Sequence, residues 1–226
     1  MKRRKRQNLI IELIVKYPEL FTEAERSYLI NNAPLSFEGK LIPDLVREVY
    51  DKLDLLEDDK NIYCAFLNLL DREFDIKDKE IIEVGGGIFP QLAKKISKIQ
   101  TKGQIKVYDP RLSQYEDNTS KMTLVREKFT SNTKVEDVDL LVGFMPCEAT
   151  YTIVDSAARN DIDFMIALCE GGPHGDIYDY YESDEEWLHS IVSFAESLVE
   201  DNKMGTLEKT YLKEFHNPYP IIYNKR

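Results

Sequence analysis

The chain has 226 residues and a formal net charge of −11, and its length suits one large α/β domain with a helical extension. Five of the first six residues are basic, which leaves 25 basic against 41 acidic residues elsewhere and argues against a general nucleic-acid-binding protein. No run approaches the roughly 20 apolar residues of a membrane span and no signal peptide is evident, so we expect no membrane partner.

Residues 1–78 predict a helical module that begins with a basic arm over residues 1–6. Apolar residues at helical spacing predict helices over residues 8–17, 22–30, 43–56 and 62–74. We expect their apolar side chains to form a core, with a lid over a substrate as the alternative. The arm is either a flexible nucleic-acid contact or, as charge runs at chain ends usually are, a solvated terminus.

From residue 79 onward, short apolar runs alternate with helical patterns, which predicts a parallel sheet. The predicted strands cover residues 80–84, 104–108, 122–127, 138–143 and 162–168, and the predicted helices cover residues 90–100, 148–159 and 184–202. Two further strands, over residues 206–215 and 221–225, flank an Asn-Pro turn and predict an antiparallel hairpin. The sequence therefore predicts an α/β fold with a doubly wound, mostly parallel, seven-stranded sheet.

A glycine-rich turn follows the first predicted strand. The strand passes through Glu83 into Gly85, Gly86 and Gly87, where the backbone is able to turn sharply and approach a ligand closely. The second strand ends in Asp109, one helix length later, where nucleotide-binding α/β folds place a carboxylate that accepts hydrogen bonds from a ribose. The pattern favours a nucleotide site, and an ordinary tight turn between strand and helix is the alternative.

These motifs and the terminal hairpin resemble the class I S-adenosylmethionine-dependent methyltransferases, over about residues 79–226. Residues 83–87 resemble the family's acid-x-Gly-x-Gly loop, and residues 139–147 resemble its fourth motif, a strand that ends beside the transferring methyl group. The resemblance implies a Rossmann-like domain and S-adenosyl-L-methionine as cofactor. The acidity of the body favours a small molecule or a protein as acceptor, whereas the turn after the fourth strand favours RNA. The resemblance also implies cofactor contacts by Glu83, Gly85, Gly86, Gly87, Asp109, Phe144 and Met145.

Two residues are candidates for catalysis. Pro146-Cys147 resembles both the Pro-Cys of cytosine-C5 methyltransferases, where the thiolate attacks the ring, and a turn of RNA and tRNA methyltransferases in which the cysteine is not an established nucleophile. Cys147 also precedes a predicted helix, which lowers a thiol pKa, and a buried structural cysteine is the alternative. His174 is a candidate general base in the loop after the fifth strand, or a surface histidine.

The three cysteines, Cys64, Cys147 and Cys169, form no CxxC pair, which predicts a reducing, cytoplasmic compartment without a disulfide framework. Cys147, Cys169 and His174 match no standard zinc spacing, so we predict no metal site.

Two alternatives to a methyltransferase remain open. The family loop often has a third glycine where this chain has Phe89, and the acid that usually meets the adenine amino group has no clean match, although Glu127 is near. These departures favour a non-catalytic binding or scaffold protein of the same fold. An NAD(P)-dependent dehydrogenase needs the pattern G-x-G-x-x-G, and Pro90 stands at its last glycine position, which argues against that alternative.

Overall fold

The computed structural model describes residues 23, 26–27, 62–87, 90–112, 118–169, 181, 183–212 and 219–226. Residues 62–112 and 117–226 form one compact unit; of the other unit, residues 1–61 with 113–116, residues 23, 26 and 27 are described, and they are helical. The basic arm and most of the predicted helical module lie outside the described residues, so their division from the rest of the chain at residue 78 stays a prediction. No helix within the described ranges is long and apolar enough to cross a membrane.

The described elements follow the predicted order. The helices are α1 (Ile62–Phe74), α2 (Gln91–Ile99), α3 (Thr150–Asn160) and α4 (Asp184–Asp201). The strands are β1 (Ile81–Val84), β2 (Ile105–Tyr108), β3 (Met122–Val125), β4 (Leu140–Phe144), β5 (Asp163–Ala167), β6 (Thr206–Leu212) and β7 (Tyr219–Lys225). Short 3₁₀ turns cover Ile76–Asp78 and Cys147–Ala149.

The strands form one seven-stranded sheet in the order β3-β2-β1-β4-β5-β7-β6. Strands β1 to β5 are parallel, and β7 is antiparallel to both of its neighbours. This topology confirms the predicted Rossmann-like sheet with its C-terminal hairpin. The strand order reverses between β1 and β4, and open α/β sheets bind ligands outside the carboxyl ends of the strands at such a point.

Both faces of the central strands are buried, because helices cover each side. Ile81 and Leu140 belong to the core beneath α1 and α2, whereas the next residues along the same strands, Ile82 and Leu141, belong to the core beneath α3 and α4. This alternation follows from the two-residue period of a strand. It also explains why β4 carries no polar side chain and why β1 is buried along its whole length, with Glu83 as its one polar residue.

The C-terminal end of helix α1 contacts strand β7. Glu73 forms an ion pair with Lys225 at 3.0 Å, and the ring of Phe74 meets the ring of Tyr223 edge to face at a centroid distance of 6.1 Å. The other end of α1 then lies over the end of β4, where residues of the candidate site are found. The helix therefore belongs to the structure that surrounds the site.

Candidate functional site

The loops after β1, β2, β4 and β5 meet at the carboxyl edge of the sheet. This edge holds every described residue that is predicted to contact the cofactor or to take part in catalysis: Glu83, Gly85, Gly86, Gly87, Asp109, Phe144, Met145 and Cys147. His174 lies outside the described residues. The clustering follows from the parallel register of β1 with β2 and β4, which brings the ends of these strands side by side.

The glycine turn after β1 depends on two left-handed residues, Gly85 at φ +81° and Gly87 at φ +76°. The Gly85 N–H donates to the carbonyl of Tyr108 at 2.9 Å, which extends the β1–β2 pairing into the loop. At Gly86 an added Cβ would lie 2.4 Å from Cγ1 of Val107, so a side chain has no room there. At Gly87 an added Cβ would meet no heavy atom of the described residues within 4 Å. Among those residues, the turn is therefore packed against β2 on one side and open on the other.

Asp109 lies directly beside this turn. Its carboxylate is 3% exposed, and its Oδ2 accepts a hydrogen bond from the N–H of Gly87 at 2.9 Å. The Oδ1 atom accepts from the N–H of Arg111 at 2.7 Å, and the Arg111 guanidinium donates to both oxygens, at 3.2 and 3.1 Å. The arginine side chain itself is half exposed. The structure thus pairs the expected ribose-binding carboxylate with a cation that a bound ribose would have to displace or share.

Glu83 is the second carboxyl group behind the turn, and its surroundings differ from those of Asp109. It is 2% exposed, and its Oε2 accepts from the N–H of Ala93, in the first turn of α2, at 3.0 Å. Burial raises the pKa of Glu83 to about 8 from an ordinary 4.5; the Ala93 N–H lowers it, and the charge of Asp109 raises it further. Glu83 is therefore mainly protonated at neutral pH and is able to donate a hydrogen bond as well as accept one.

The end of β4 supplies an aromatic cluster and a tight turn. Phe144 is buried against Tyr63 and Phe66 of α1, with ring-centroid distances of 4.8 and 5.4 Å. The N–H of the next residue, Met145, donates to the carbonyl of Ala167 at 2.8 Å, which continues the β4–β5 pairing past the end of the strand.

Pro146 brings this turn against the glycine turn. An added Cβ on Gly85 would lie 3.1 Å from Cα of Pro146 and 3.2 Å from its Cβ. The turns after β1 and β4 are therefore in direct contact at the point where the strand order reverses.

Cys147 begins the 3₁₀ turn that leads into α3, as its predicted place before a helix implies. Its Sγ lies 3.1 Å from Sγ of Cys169, which follows β5, and 3.4 Å from the carbonyl oxygen of Met145. Cys147 is half-buried and Cys169 is buried. Among the residues that the structure describes, no group of three or more histidine, cysteine, aspartate or glutamate side chains is placed to hold a metal ion.

Two residues at this edge did not emerge from the sequence as site residues. The sequence distinguishes Arg111 only by its position two residues after Asp109. An arginine at that spacing from an aspartate is common on protein surfaces. Tyr63 lay in a helix assigned to a separate module, although its separation of three residues from Phe66 places both on one helix face.

Comparison with known proteins bears on the fold. No protein-family model matches the sequence, and no curated protein matches it. Among solved structures, a putative S-adenosyl-L-methionine-dependent methyltransferase from Methanococcus maripaludis is similar over 79% of this chain and 93% of its own, with 16% identity and a TM-score of 0.50. The chain has the class I methyltransferase fold.

Two weaker similarities accompany this match. A precorrin-6y C5,15-methyltransferase from Geobacter metallireducens is similar over 74% of this chain and 89% of its own, with 16% identity and a TM-score of 0.48. Magnesium protoporphyrin IX methyltransferase from Synechocystis PCC 6803 is similar over 76% and 81%, with 9% identity and a TM-score of 0.49.

The topology also separates this fold from that of the dehydrogenases. A nicotinamide dehydrogenase sheet has the strand order 3-2-1-4-5-6. In this chain the last strand in the sequence, β7, lies between β5 and β6 and is antiparallel to both. Pro90 forms the N-terminal boundary of α2, in the place where a dehydrogenase has a third glycine. Both observations favour the class I methyltransferase fold over the dehydrogenase alternative.

Proposed function

We propose that the protein is an S-adenosyl-L-methionine-dependent methyltransferase. The observation that supports this most directly is the hydrogen bond from the Gly87 N–H to the Asp109 carboxylate, at the point where the strand order reverses. It joins a side-chain-free turn, open on one side, to a buried acceptor of the kind that binds a ribose diol. The class I methyltransferase fold agrees with this assignment.

The residues present fit such a cofactor. In the proposal, Asp109 accepts hydrogen bonds from the ribose hydroxyls, and Gly85, Gly86 and Gly87 allow the backbone to approach the ligand. Protonated Glu83, behind the turn, adds no negative charge to the site at neutral pH. When bound, the cofactor supplies an electrophilic methyl group on a sulfonium.

The chain's own part in methyl transfer is chiefly to position the acceptor and exclude water. Phe144, buried under Tyr63 and Phe66, and the neighbouring Met145 form the apolar floor of this proposal. Cys147 is the proposed nucleophile, if the acceptor requires covalent activation, and His174 is the proposed base for an acceptor that carries a proton.

A non-catalytic binding protein of the same fold is the second candidate, and one observation favours it. The guanidinium of Arg111 donates to both oxygens of Asp109, so the ribose acceptor is already engaged. In this alternative the ion pair is a permanent part of the structure, and no cofactor displaces it.

Calorimetric titration with S-adenosylhomocysteine distinguishes the two candidates. The methyltransferase proposal predicts saturable binding that Asp109→Ala weakens at least about tenfold, because hydrogen bonds to a charged acceptor are lost. Asp155→Ala, which removes a partly buried carboxylate on α3, is the matched control and should bind as the wild type does. A folded wild-type protein that takes up no ligand would leave the binding-protein alternative.

The acceptor is proposed to be RNA or a small molecule. The acidity of the body favours a small molecule, whereas the turn after β4 resembles that of RNA methyltransferases. RNA binding measured at several salt concentrations, with and without residues 1–6, tests the choice. If the basic arm contacts RNA, its removal will reduce the slope of affinity against salt, because each phosphate contact releases counterions. No RNA binding at any of these salt concentrations would favour a small molecule.

A cytoplasmic location is part of the same proposal. It rests on the absence of CxxC spacing among the three cysteines.

A further inference from the structure

Cys147 and Cys169, the two cysteines at the carboxyl edge of the sheet, lie close enough to react with each other. They follow β4 and β5, which are adjacent and parallel, so the chain brings them to the same edge of the sheet. Their sulfur atoms are 3.1 Å apart, and a disulfide bond of about 2.05 Å requires an approach of about 1 Å. We propose that Cys147 and Cys169 are a modification site, a thiol pair that hydrogen peroxide or a similar peroxide oxidises reversibly to an intramolecular disulfide.

The surroundings assign different roles to the two thiols. Cys147 is half-buried and opens the turn that leads into the eleven-residue helix α3, whose N-terminal N–H groups favour negative charge nearby. Cys169 is 6% exposed, and its sulfur lies 3.1 Å from the Cys147 sulfur, a contact in which either thiol is able to donate. An S–H donated by Cys169 stabilises a thiolate on Cys147, whereas the Met145 carbonyl oxygen, 3.4 Å away, accepts from Cys147 in its thiol form. Cys147 is therefore the thiol that meets the oxidant, and Cys169 is the resolving thiol.

The reaction balances in two steps. The Cys147 thiolate attacks one oxygen of hydrogen peroxide, the O–O bond breaks, and a sulfenic acid and hydroxide form. The Cys169 sulfur then attacks the sulfenic sulfur, an S–S bond forms, the S–O bond breaks, and water leaves with the thiol proton. Two thiols lose two electrons, and one peroxide is reduced to two molecules of water. A dithiol reductant reverses the modification by thiol–disulfide exchange.

The position of the pair gives the modification a consequence for the site. Pro146, immediately before Cys147, is the residue in contact with the glycine turn. A disulfide would fasten the turn after β4 to the end of β5, and it would hold Pro146 in one place against Gly85. The inference itself rests on the sulfur geometry and does not require that the protein bind S-adenosyl-L-methionine.

The experiment uses the full chain, reduced and then freed of reductant. After brief exposure to a small molar excess of hydrogen peroxide, remaining thiols are alkylated and the digested protein is mapped by mass spectrometry. We expect the Cys147 and Cys169 peptides to be joined, lighter by two hydrogen atoms than the separate peptides, with Cys64 still alkylated. Dithiothreitol should restore all three thiols. Alkylation of both Cys147 and Cys169 after peroxide treatment would overturn the proposal, as would a bond from either one to Cys64.

Two variants test the assigned roles. Cys169→Ser removes the resolving thiol, so Cys147 should persist as a sulfenic acid that dimedone labels. Dimedone labelling of Cys64 instead, or of no cysteine, would contradict the role of Cys147. Cys64→Ser, in helix α1, is the matched control because its cysteine takes no part in the proposed bond, and it should form the disulfide to the same extent as the wild type. Loss of the disulfide in this control would also count against the pair.

Discussion

Two turns meet at the carboxyl edge of the sheet, and they satisfy the same backbone requirement with different residues. The turn after β1 uses glycine in the left-handed region, at Gly85 and Gly87. The turn after β4 uses Met145 at φ +52° and Cys147 at φ +49°. Glycine adopts this conformation freely, whereas a residue with a Cβ is disfavoured by about 1–2 kcal/mol.

The difference indicates what each turn is for. At Gly87 no described residue fills the space beside the backbone, so the first turn presents bare backbone there. In the second turn, Met145 packs against the core and Cys147 contacts Cys169, so the side chains are used and the strain is retained. Backbone strain that persists at such an edge is typical of functional sites. The first turn therefore requires residues without side chains, whereas the second turn uses the side chains of its residues.

Replacing each glycine of the first turn by alanine should have unequal effects. Gly85→Ala adds a Cβ both in the left-handed region and 3.1 Å from Pro146, so we expect a loss of about 2–4 kcal/mol in the free energy of unfolding. Gly87→Ala has the backbone strain without the contact, so we expect about 1–2 kcal/mol. Urea denaturation measures both. Equal losses would mean that the two turns do not press on each other.

The buried acid behind the glycine turn should make stability depend on pH. Burial raises the pKa of Glu83 to about 8 in the folded protein, from an ordinary 4.5, so the folded state binds the extra proton between these values. The stabilising contribution is therefore complete below pH 4.5, and it is lost as the pH rises toward 8. The free energy of unfolding then falls by up to about 1.4 kcal/mol per pH unit, and Glu83→Gln should remove this pH dependence.

Urea denaturation at pH 5.5 and pH 7.5 compares the two proteins. Between these pH values, the free energy of unfolding should fall by about 2–3 kcal/mol more in the wild type than in Glu83→Gln. Glu136→Gln, at an exposed acid in the link before β4, is the control and should follow the wild type. Parallel curves for the wild type and Glu83→Gln would show that Glu83 is ionised in the folded state.

The sequence predicted the elements of the fold well, because buried strands and glycine turns leave local patterns. The predicted strand over residues 80–84 corresponds to β1, and the predicted helix over residues 184–202 corresponds to α4. The proximity of Asp109 to the glycine turn was equally predictable, because the parallel sheet places their strands side by side. The roles assigned to the site residues remain predictions.

Three features of the site had no such local pattern. The pairing of Arg111 with Asp109 depends on a side-chain conformation, and the left-handed Met145 and Cys147 carry no glycine to mark them. The contact between Cys147 and Cys169 becomes evident only once β4 and β5 are known to be neighbours, because 22 residues separate the two cysteines along the chain.

Removing the cation beside the glycine turn should alter ligand affinity moderately. If S-adenosylhomocysteine binds through Asp109, Arg111→Ala should strengthen binding by about threefold to tenfold, because the ribose no longer competes for the buried Asp109 carboxylate with a half-exposed guanidinium that water partly screens. Arg159→Ala, which breaks an ion pair between an exposed arginine and a partly buried aspartate on α3, is the control. Weaker binding in Arg111→Ala would mean that the arginine contacts the ligand rather than competing with it.

The smallest expected effects concern residues other than glycine that adopt the left-handed conformation. Lys203, at φ +56° and exposed after α4, is left-handed without a packed side chain, so Lys203→Gly should gain about 0.5 kcal/mol in the free energy of unfolding. Met145→Gly relieves similar strain but gives up packing, and we expect a net loss of about 1 kcal/mol. Thermal denaturation of both variants is the measurement. A gain at Met145 would show that its side chain contributes little.

The strand order has a consequence for synthesis on the ribosome. Strand β7 is made after β6, yet it lies between β6 and β5, and β6 has β7 as its neighbour in the sheet. Until β7 emerges, β5 presents an open edge and β6 has no strand to pair with. Open edges of this kind attract other chains. The nascent protein therefore has an unpaired sheet edge until β7 has been made.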